Sequence, residues 1–300
     1  MCLVLCRSTC GFLSRISPAL SSLLAERLFR TPPPFACTDA EKAVLSRGLP
    51  GVVTDGSGPL ATWTWGEGPV VLLVHGWGGH AGRLTGYVEP LIGAGFRAVA
   101  FDLPGHGASA SGPVSLPEMA DAILRVTEKV GPIAGVIAHS VGATASALAM
   151  RRGFAVSRAV FLSPSADFEG LSLRFSRLLR LPEAVRESMR ERLRVRYAAH
   201  WSHFRIVDWA RSLSTSLLVF HDTRDFTVPL SDGQAIAGAW RKSRLVATRG
   251  LGHHKILRAR LVIRQAVAFL AAGKRSAVKR RILAGRASAG PSTKLLGSPA

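Results

Sequence analysis

Five short apolar runs, each followed by a stretch of helical character, constrain this chain more than any other feature. They are VVLLV (70–74), FRAVAFD (96–102), IAGVIA (133–138), RAVFLS (158–163) and SLLVFHD (216–222). Uninterrupted apolar runs of this length, bounded by turn residues, fit strands buried on both faces. LATWTWG reads as an earlier strand and RLVATRG as a later one. Between them, RLTGYVEPLIGAG reads as a helix closing on glycine. SLPEMADAILRVTEKVG reads as an amphipathic helix, with Ser115 and Glu118 at the spacing of a capping box. VGATASALAMRRG, LSDGQAIAGAW and KILRARLVIRQAVAFLAA complete the helical set. Strands joined by helices of this length predict an α/β fold: a mostly parallel central sheet with helices on both faces.

The chain has 300 residues, 47% of them hydrophobic and 19% charged, enough for a sizeable core and too apolar for wholesale disorder. The spacing divides it into an N-terminal apolar segment and linker (1–50), a body (51–272) and a basic tail (273–300) expected to be disordered. After PSAD the alternation stops, and an arginine-rich helical stretch over about 168–209 reads as a short helical cap inserted into the body. In the first segment Leu13, Ile16, Leu20, Leu24 and Leu28 recur at helical spacing, but Arg7, Arg15 and Arg27 interrupt it. No run reaches the roughly 18 apolar residues of a spanning helix. The pattern is that of an amphipathic helix, read first as docking on the body and second as lying on a membrane surface. It has no charged start before its apolar run and no clear cleavage site, so it is not read as a signal peptide.

All four cysteines (Cys2, Cys6, Cys10, Cys37) precede the body, which therefore needs no disulfide and suits a reducing, cytoplasmic compartment, with a membrane-peripheral position left open. The first three have no partner histidines at metal-ligand spacing, so no metal site is expected. The net charge of +20 is concentrated in the tail and in the cap region. Basic surfaces attract nucleic acid and anionic lipid. No nucleic-acid motif accompanies this charge, so no nucleic-acid partner is expected. Nothing in the sequence speaks to oligomeric state.

In parallel sheets ligands gather at the carboxyl ends of the strands. There this sequence places HGWGG, DLPGHGAS, AHSVG, HDTRDFTVP and GLGHH. Ser140 lies between a buried strand and a helix, a position that demands a strained turn and small neighbours. Ala138, Gly142 and Ala143 supply them. The free N–H of Val141 at the helix start, and that of Trp77 in the glycine-lined loop, suit a developing oxyanion.

With these five motifs in this order, residues 60–272 resemble the α/β-hydrolase superfamily. The resemblance implies an α/β-hydrolase fold, Ser140 as nucleophile, His253 as base, Asp225 as orienting acid, and Trp77 and Val141 as the oxyanion hole. It implies acyl transfer with no metal and no organic cofactor. A serine rather than an aspartate at the turn points to esters, thioesters, amides or related carbonyl substrates, with a small-molecule ester or thioester as the leading reading. The motif departs from the family's G-x-S-x-G by carrying Ala138, one methyl larger, where strand and helix approach closely. Asp222 and Asp167 compete with Asp225 for the acid, and His254 with His253 for the base. His139 points away from its neighbour's side and reads as a packing or hydrogen-bonding residue. His75 and His106 read as loop-fixing residues. Trp63 and Trp65 read as core. Trp201, His203 and Phe204 either line a pocket or pack within the cap. The expected function is a serine hydrolase of esters or thioesters. The alternatives are other cofactor-free chemistry on the same fold, such as C–C hydrolysis or perhydrolysis, and a non-catalytic binding or signalling role.

Overall fold

The computed structural model describes residues 3–54, 57–197 and 200–273. The expectation for the tail beyond Gly273 lies outside the described residues. Among the described residues eight strands form one sheet: β1 (Leu49–Val53), β2 (Leu60–Trp65), β3 (Val70–Val74), β4 (Arg97–Phe101), β5 (Ile133–His139), β6 (Arg158–Leu162), β7 (Ser216–Asp222) and β8 (Ser243–Thr248). Their order is β1-β2-β4-β3-β5-β6-β7-β8. β2 is antiparallel to both its neighbours, and the remaining pairs are parallel. The mostly parallel sheet follows the reading of the apolar runs.

The helices are α1 (Leu3–Ile16), α2 (Pro18–Arg30), α3 (Asp39–Leu45), α4 (Val88–Gly93), α5 (Leu116–Val130), α6 (Val141–Arg151), α7 (Phe168–Leu179), α8 (Glu183–Tyr197), α9 (Ile206–Trp209), α10 (Leu230–Ala239), α11 (Gly252–Lys255) and α12 (260–273). They cover both faces of the sheet, and the central strand shows why its sequence is apolar throughout. Val70, Leu72 and Val74 of β3 pack into one core with Ile123 of α5 and Ala143 of α6. Val71 and Leu73 pack into the other with Leu91 of α4 and Leu270 of α12. Alternate side chains of one strand thus serve two cores. Trp65 is buried and Trp63 half-buried in the second core, as expected of core residues. The capping box of α5 forms in both directions, Glu118 N–H to Ser115 Oγ at 3.2 Å and Ser115 N–H to Glu118 Oε2 at 2.6 Å.

Several elements differ from the sequence reading: α3 was not anticipated, and the N-terminal amphipathic segment forms two helices, α1 and α2, parted at Ser17. β1 was not anticipated, because Pro50 and Gly51 interrupt its pattern. It survives as an exposed edge strand, where proline is tolerated. The helix expected over 83–95 is split into a 3₁₀ segment, Ala81–Tyr87, and the short α4. Gly82, Gly86 and Pro90 weaken a continuous helix there. The closing helix expected over 255–272 begins instead with a 3₁₀ turn at Ile256–Arg258 and extended backbone at Ala259 before α12, and the preceding GLGHH motif forms the short α11.

The first two helices form a hairpin against the cap. Ser17 caps α2, and Cys6 and Cys10 are buried against Leu179 and Phe175 of α7. Glu26 of α2, itself buried, receives Arg192 (2.8 Å) and Arg196 (2.5 Å) of α8. The 31–37 strap then crosses the strand ends, where the Phe35 N–H donates to Gly78 O at 3.1 Å. Among the described residues no helix is long and apolar enough to cross a membrane.

Candidate active site

Ser140 ends the buried run of β5 and stands immediately before α6. Its backbone has φ 51° and ψ −126°, a left-handed conformation that a non-glycine residue adopts at a cost of about 1–3 kcal/mol. The surrounding packing enforces it. The Ser140 N–H donates to Leu162 O of β6 at 3.0 Å. α6 approaches β3 so closely that a Cβ on Gly142 would stand 2.1 Å from His75 O and 3.1 Å from Val74 O. Both obstructing atoms are backbone and cannot swing away. Gly142→Ala is therefore expected to lose about 3 kcal/mol of stability by overpacking, read as a lower denaturation midpoint at unchanged slope. Ala138, where the resemblance has glycine, is accommodated and fully buried.

The described structure brings Ser140, His253 and Asp225 together from β5, α11 and the loop after β7. His253 Nε2 lies 3.1 Å from Ser140 Oγ, and His253 Nδ1 lies 2.7 Å from Asp225 Oδ2. A carboxylate only accepts, so Nδ1–H donates to Asp225. In the neutral ring this leaves Nε2 as the acceptor for the serine hydroxyl. All three residues are buried. Asp225 Oδ1 accepts the N–H groups of Thr227 and Val228, each at 2.9 Å, which fixes the carboxylate. Burial pushes its pKa up, but the hydrogen bond and charge of His253 and the Val228 N–H outweigh burial, so the net shift is downward.

The two competing carboxylates are engaged elsewhere. Asp222 accepts Thr248 Oγ1 (2.7 Å) and the N–H groups of Leu251 (2.9 Å), Arg224 (2.9 Å) and Gly250 (3.2 Å). Burial raises its pKa, yet these donors bring it to about 2. Asp222 thus shapes the loop that carries His253. Asp167 caps α7 through Gly170 N–H. His254 is exposed at the rim, with Phe35 edge-on at 6.1 Å.

Three other histidines, His139, His75 and His106, act as braces. His139 Nε2–H donates to the carbonyl of His253 at 3.0 Å, and its ring lies 4.7 Å from that of His253. Burial first, and the neighbouring His253 second, hold its pKa well below the usual value, so it stays neutral. His75 Nδ1–H donates to Gly76 O (2.8 Å), and its Nε2 accepts Leu103 N–H (3.0 Å), tying the loop after β3 to that after β4. Burial lowers its pKa to about 4. His106 Nδ1–H donates to Pro104 O at 2.8 Å, and burial lowers its pKa to about 3.

A cavity of 720 Å³ opens above Ser140 and His253. Its wall is apolar: Trp77, Val141, Phe168, Leu171, Phe175 and Val228, with Arg174 and Arg177 as its cations. Trp77 and Val141 both border it, and among the described residues no hydrogen bond takes up either backbone N–H. Trp201, His203 and Phe204 do not line this cavity. Trp201 and Phe204 pack on Phe168 within the cap.

Sequence reasoning missed Phe29, Pro33 and Phe35, which come from α2 and the strap to complete the cavity wall. The helical spacing of α2 signalled an apolar face but not its destination. Among the described residues one group has the composition of a metal site. The ligand atoms of Cys37, Glu41 and His80 lie within 4.8 Å of one another. The Glu41 carboxylate there accepts Thr38 N–H (2.9 Å) and Arg258 Nη2 (2.5 Å), with Arg83 at 3.7 Å. Two guanidinium groups already balance its charge.

Several known proteins are similar to this chain. One stretch of 46 residues is 52% identical to the pimeloyl-[acyl-carrier protein] methyl ester esterase of Methylococcus capsulatus, covering 15% of this chain and 18% of that protein. A stretch of 126 residues is 35% identical to the magnesium-chelatase 30 kDa subunit of Rhodobacter capsulatus, covering 38% and 43%. Each match thus spans less than half of the relative's length. Among solved structures, the lip1 protein of Acinetobacter baumannii AYE has a TM-score of 0.64 at 17% identity, over 81% of this chain and 99% of its own. Est1E of Butyrivibrio proteoclasticus has a TM-score of 0.59 at 18% identity, over 73% and 97%. At these identities the likeness is one of fold. The sequence itself matches the alpha/beta hydrolase family over residues 71–266, and the chain belongs to that family.

Proposed function

We propose that this protein is a serine hydrolase that cleaves a carboxylic ester or thioester through an acyl-enzyme on Ser140. The observation that carries the proposal is the continuous relay of hydroxyl, imidazole and carboxylate, at 3.1 and 2.7 Å, beneath an apolar cavity. As Ser140 Oγ attacks the carbonyl carbon, its proton passes to His253 Nε2. Asp225, already ionised and held by two backbone N–H groups, stabilises the imidazolium and keeps Nδ1 protonated. The N–H groups of Trp77 and Val141 receive the oxyanion, each contributing about 3 kcal/mol of barrier lowering by comparison with other such donors. His253 then returns the proton to the leaving alcohol or thiol, and water, activated by the same imidazole, releases the acid. No step in this sequence calls for a metal or an organic cofactor.

The apolar wall supports an aliphatic or aromatic acyl group. Several esterase names among the similar proteins agree with ester cleavage. A series of p-nitrophenyl esters of graded chain length tests the reading. The specificity constant is expected to rise from acetate through medium chains, by up to about tenfold for each two methylenes buried. A flat series, or no turnover of any member, would refute the acyl-pocket assignment.

A further inference from the structure

The helical hairpin α1–α2 turns a hydrophobic face to solvent. Val4, Leu5, Phe12 and Ile16 of α1 and Leu20 and Leu23 of α2 are all exposed, with Phe12 at 65% and Ile16 at 64%. The spacing 4, 12, 16 places one stripe on the side of α1 opposite the buried Cys6 and Cys10. An apolar face of this extent on a folded chain marks a contact surface.

Its charge identifies the contact. Glu26 is the sole acid in the first thirty residues, and it is buried and engaged by Arg192 and Arg196. Arg15 and Arg27 stand exposed on the same hairpin, with no carboxylate partner among the described residues. An apolar stripe flanked by cations and free of exposed acid complements an anionic lipid surface. It opposes a second copy of a chain with net charge +20, which would bring like charges together.

We infer that α1–α2 is a membrane-surface docking element for anionic lipid bilayers, laying its apolar stripe into the headgroup region without spanning. The hairpin is fixed to the cavity rim: Arg7 Nε donates to Leu178 O at 2.6 Å, and Phe175 packs against Cys6 and Cys10. Leu178 and Phe226, both exposed, border the cavity. The docking element therefore packs directly on α7, which supplies Phe175 and Leu178 to the cavity wall. The inference rests on the hairpin alone and not on the hydrolytic reading.

The test is co-sedimentation of the full chain with vesicles. The triple variant Phe12→Ser, Ile16→Ser, Leu20→Ser keeps the net charge, so it separates the apolar stripe from attraction by charge alone. All three side chains are exposed, and an unchanged melting temperature verifies the fold. The wild type is expected to sediment with mixed phosphatidylcholine–phosphatidylglycerol vesicles and not with pure phosphatidylcholine. The triple variant should lose at least about tenfold in affinity. Any of four results overturns the inference: no sedimentation of the wild type, equal binding to both vesicle types, binding of the variant like the wild type, or a wild-type dimer that the variant converts to monomer without any vesicle binding.

Discussion

Replacing Ser140 with alanine is expected to lower turnover of an activated ester by about a million-fold while leaving the fold intact. The substitution deletes one buried oxygen and keeps every backbone contact of the turn, including the Ser140 N–H bond to Leu162 O. The left-handed φ of 51° costs alanine about what it costs serine, so stability should move by less than about 1 kcal/mol. A residual rate should survive, because the N–H groups of Trp77 and Val141 and the cavity would still bind the substrate carbonyl. The double variant Ser140→Ala, His253→Ala should be no slower than the single one, since the two side chains act as one unit. Steady-state kinetics, with thermal melting as the fold control, measure both expectations. Wild-type turnover in Ser140→Ala would remove the nucleophile from the proposal.

The second large effect is expected at Asp225. Asp225→Asn should reduce kcat by about ten-thousand-fold through the tautomer of His253 rather than through geometry. The amide oxygen can still accept the N–H groups of Thr227 and Val228, so the side chain should stay where it is. Its NH₂ would then face His253 Nδ1, which must become an acceptor. The ring proton moves to Nε2, and Nε2 can no longer take the serine proton. Asp167→Asn, at the helix cap, should leave kcat within about threefold and change stability by less than about 1 kcal/mol, since asparagine caps a helix about as well as aspartate. A comparable collapse in Asp167→Asn and none in Asp225→Asn would reverse the assignment of the acid.

The sheet was legible because its physics is local. A run such as VVLLV has few alternatives when both faces of its strand are covered, and β3 feeds two separate cores. β1 was not legible, because Pro50 and Gly51 break its pattern and its pairing with β2 is a tertiary fact. The turn at Ser140 announced itself through the small residues around it, and the Gly142 contact with His75 O gives the reason. The choice among Asp167, Asp222 and Asp225 was not readable from spacing. All three stand at strand ends, Asp222 as the last residue of β7 and the others just beyond a strand, and only hydrogen bonds made across the fold separate a helix cap, a loop brace and the partner of His253. The cavity wall was least legible. Phe29 and Phe35 precede Ser140 by about a hundred residues, and nothing in α2 tells which surface will cover its apolar face.

The central claim is that one serine hydroxyl is made nucleophilic by its place in a buried relay. Covalent labelling with a fluorophosphonate, read by intact mass and peptide mapping, tests it most directly, because the probe needs an activated serine and no knowledge of the substrate. The account predicts one adduct per chain, on Ser140, absent in Ser140→Ala and formed far more slowly in His253→Ala. Folded wild-type protein that takes up no probe, or takes it up at another serine, would contradict it.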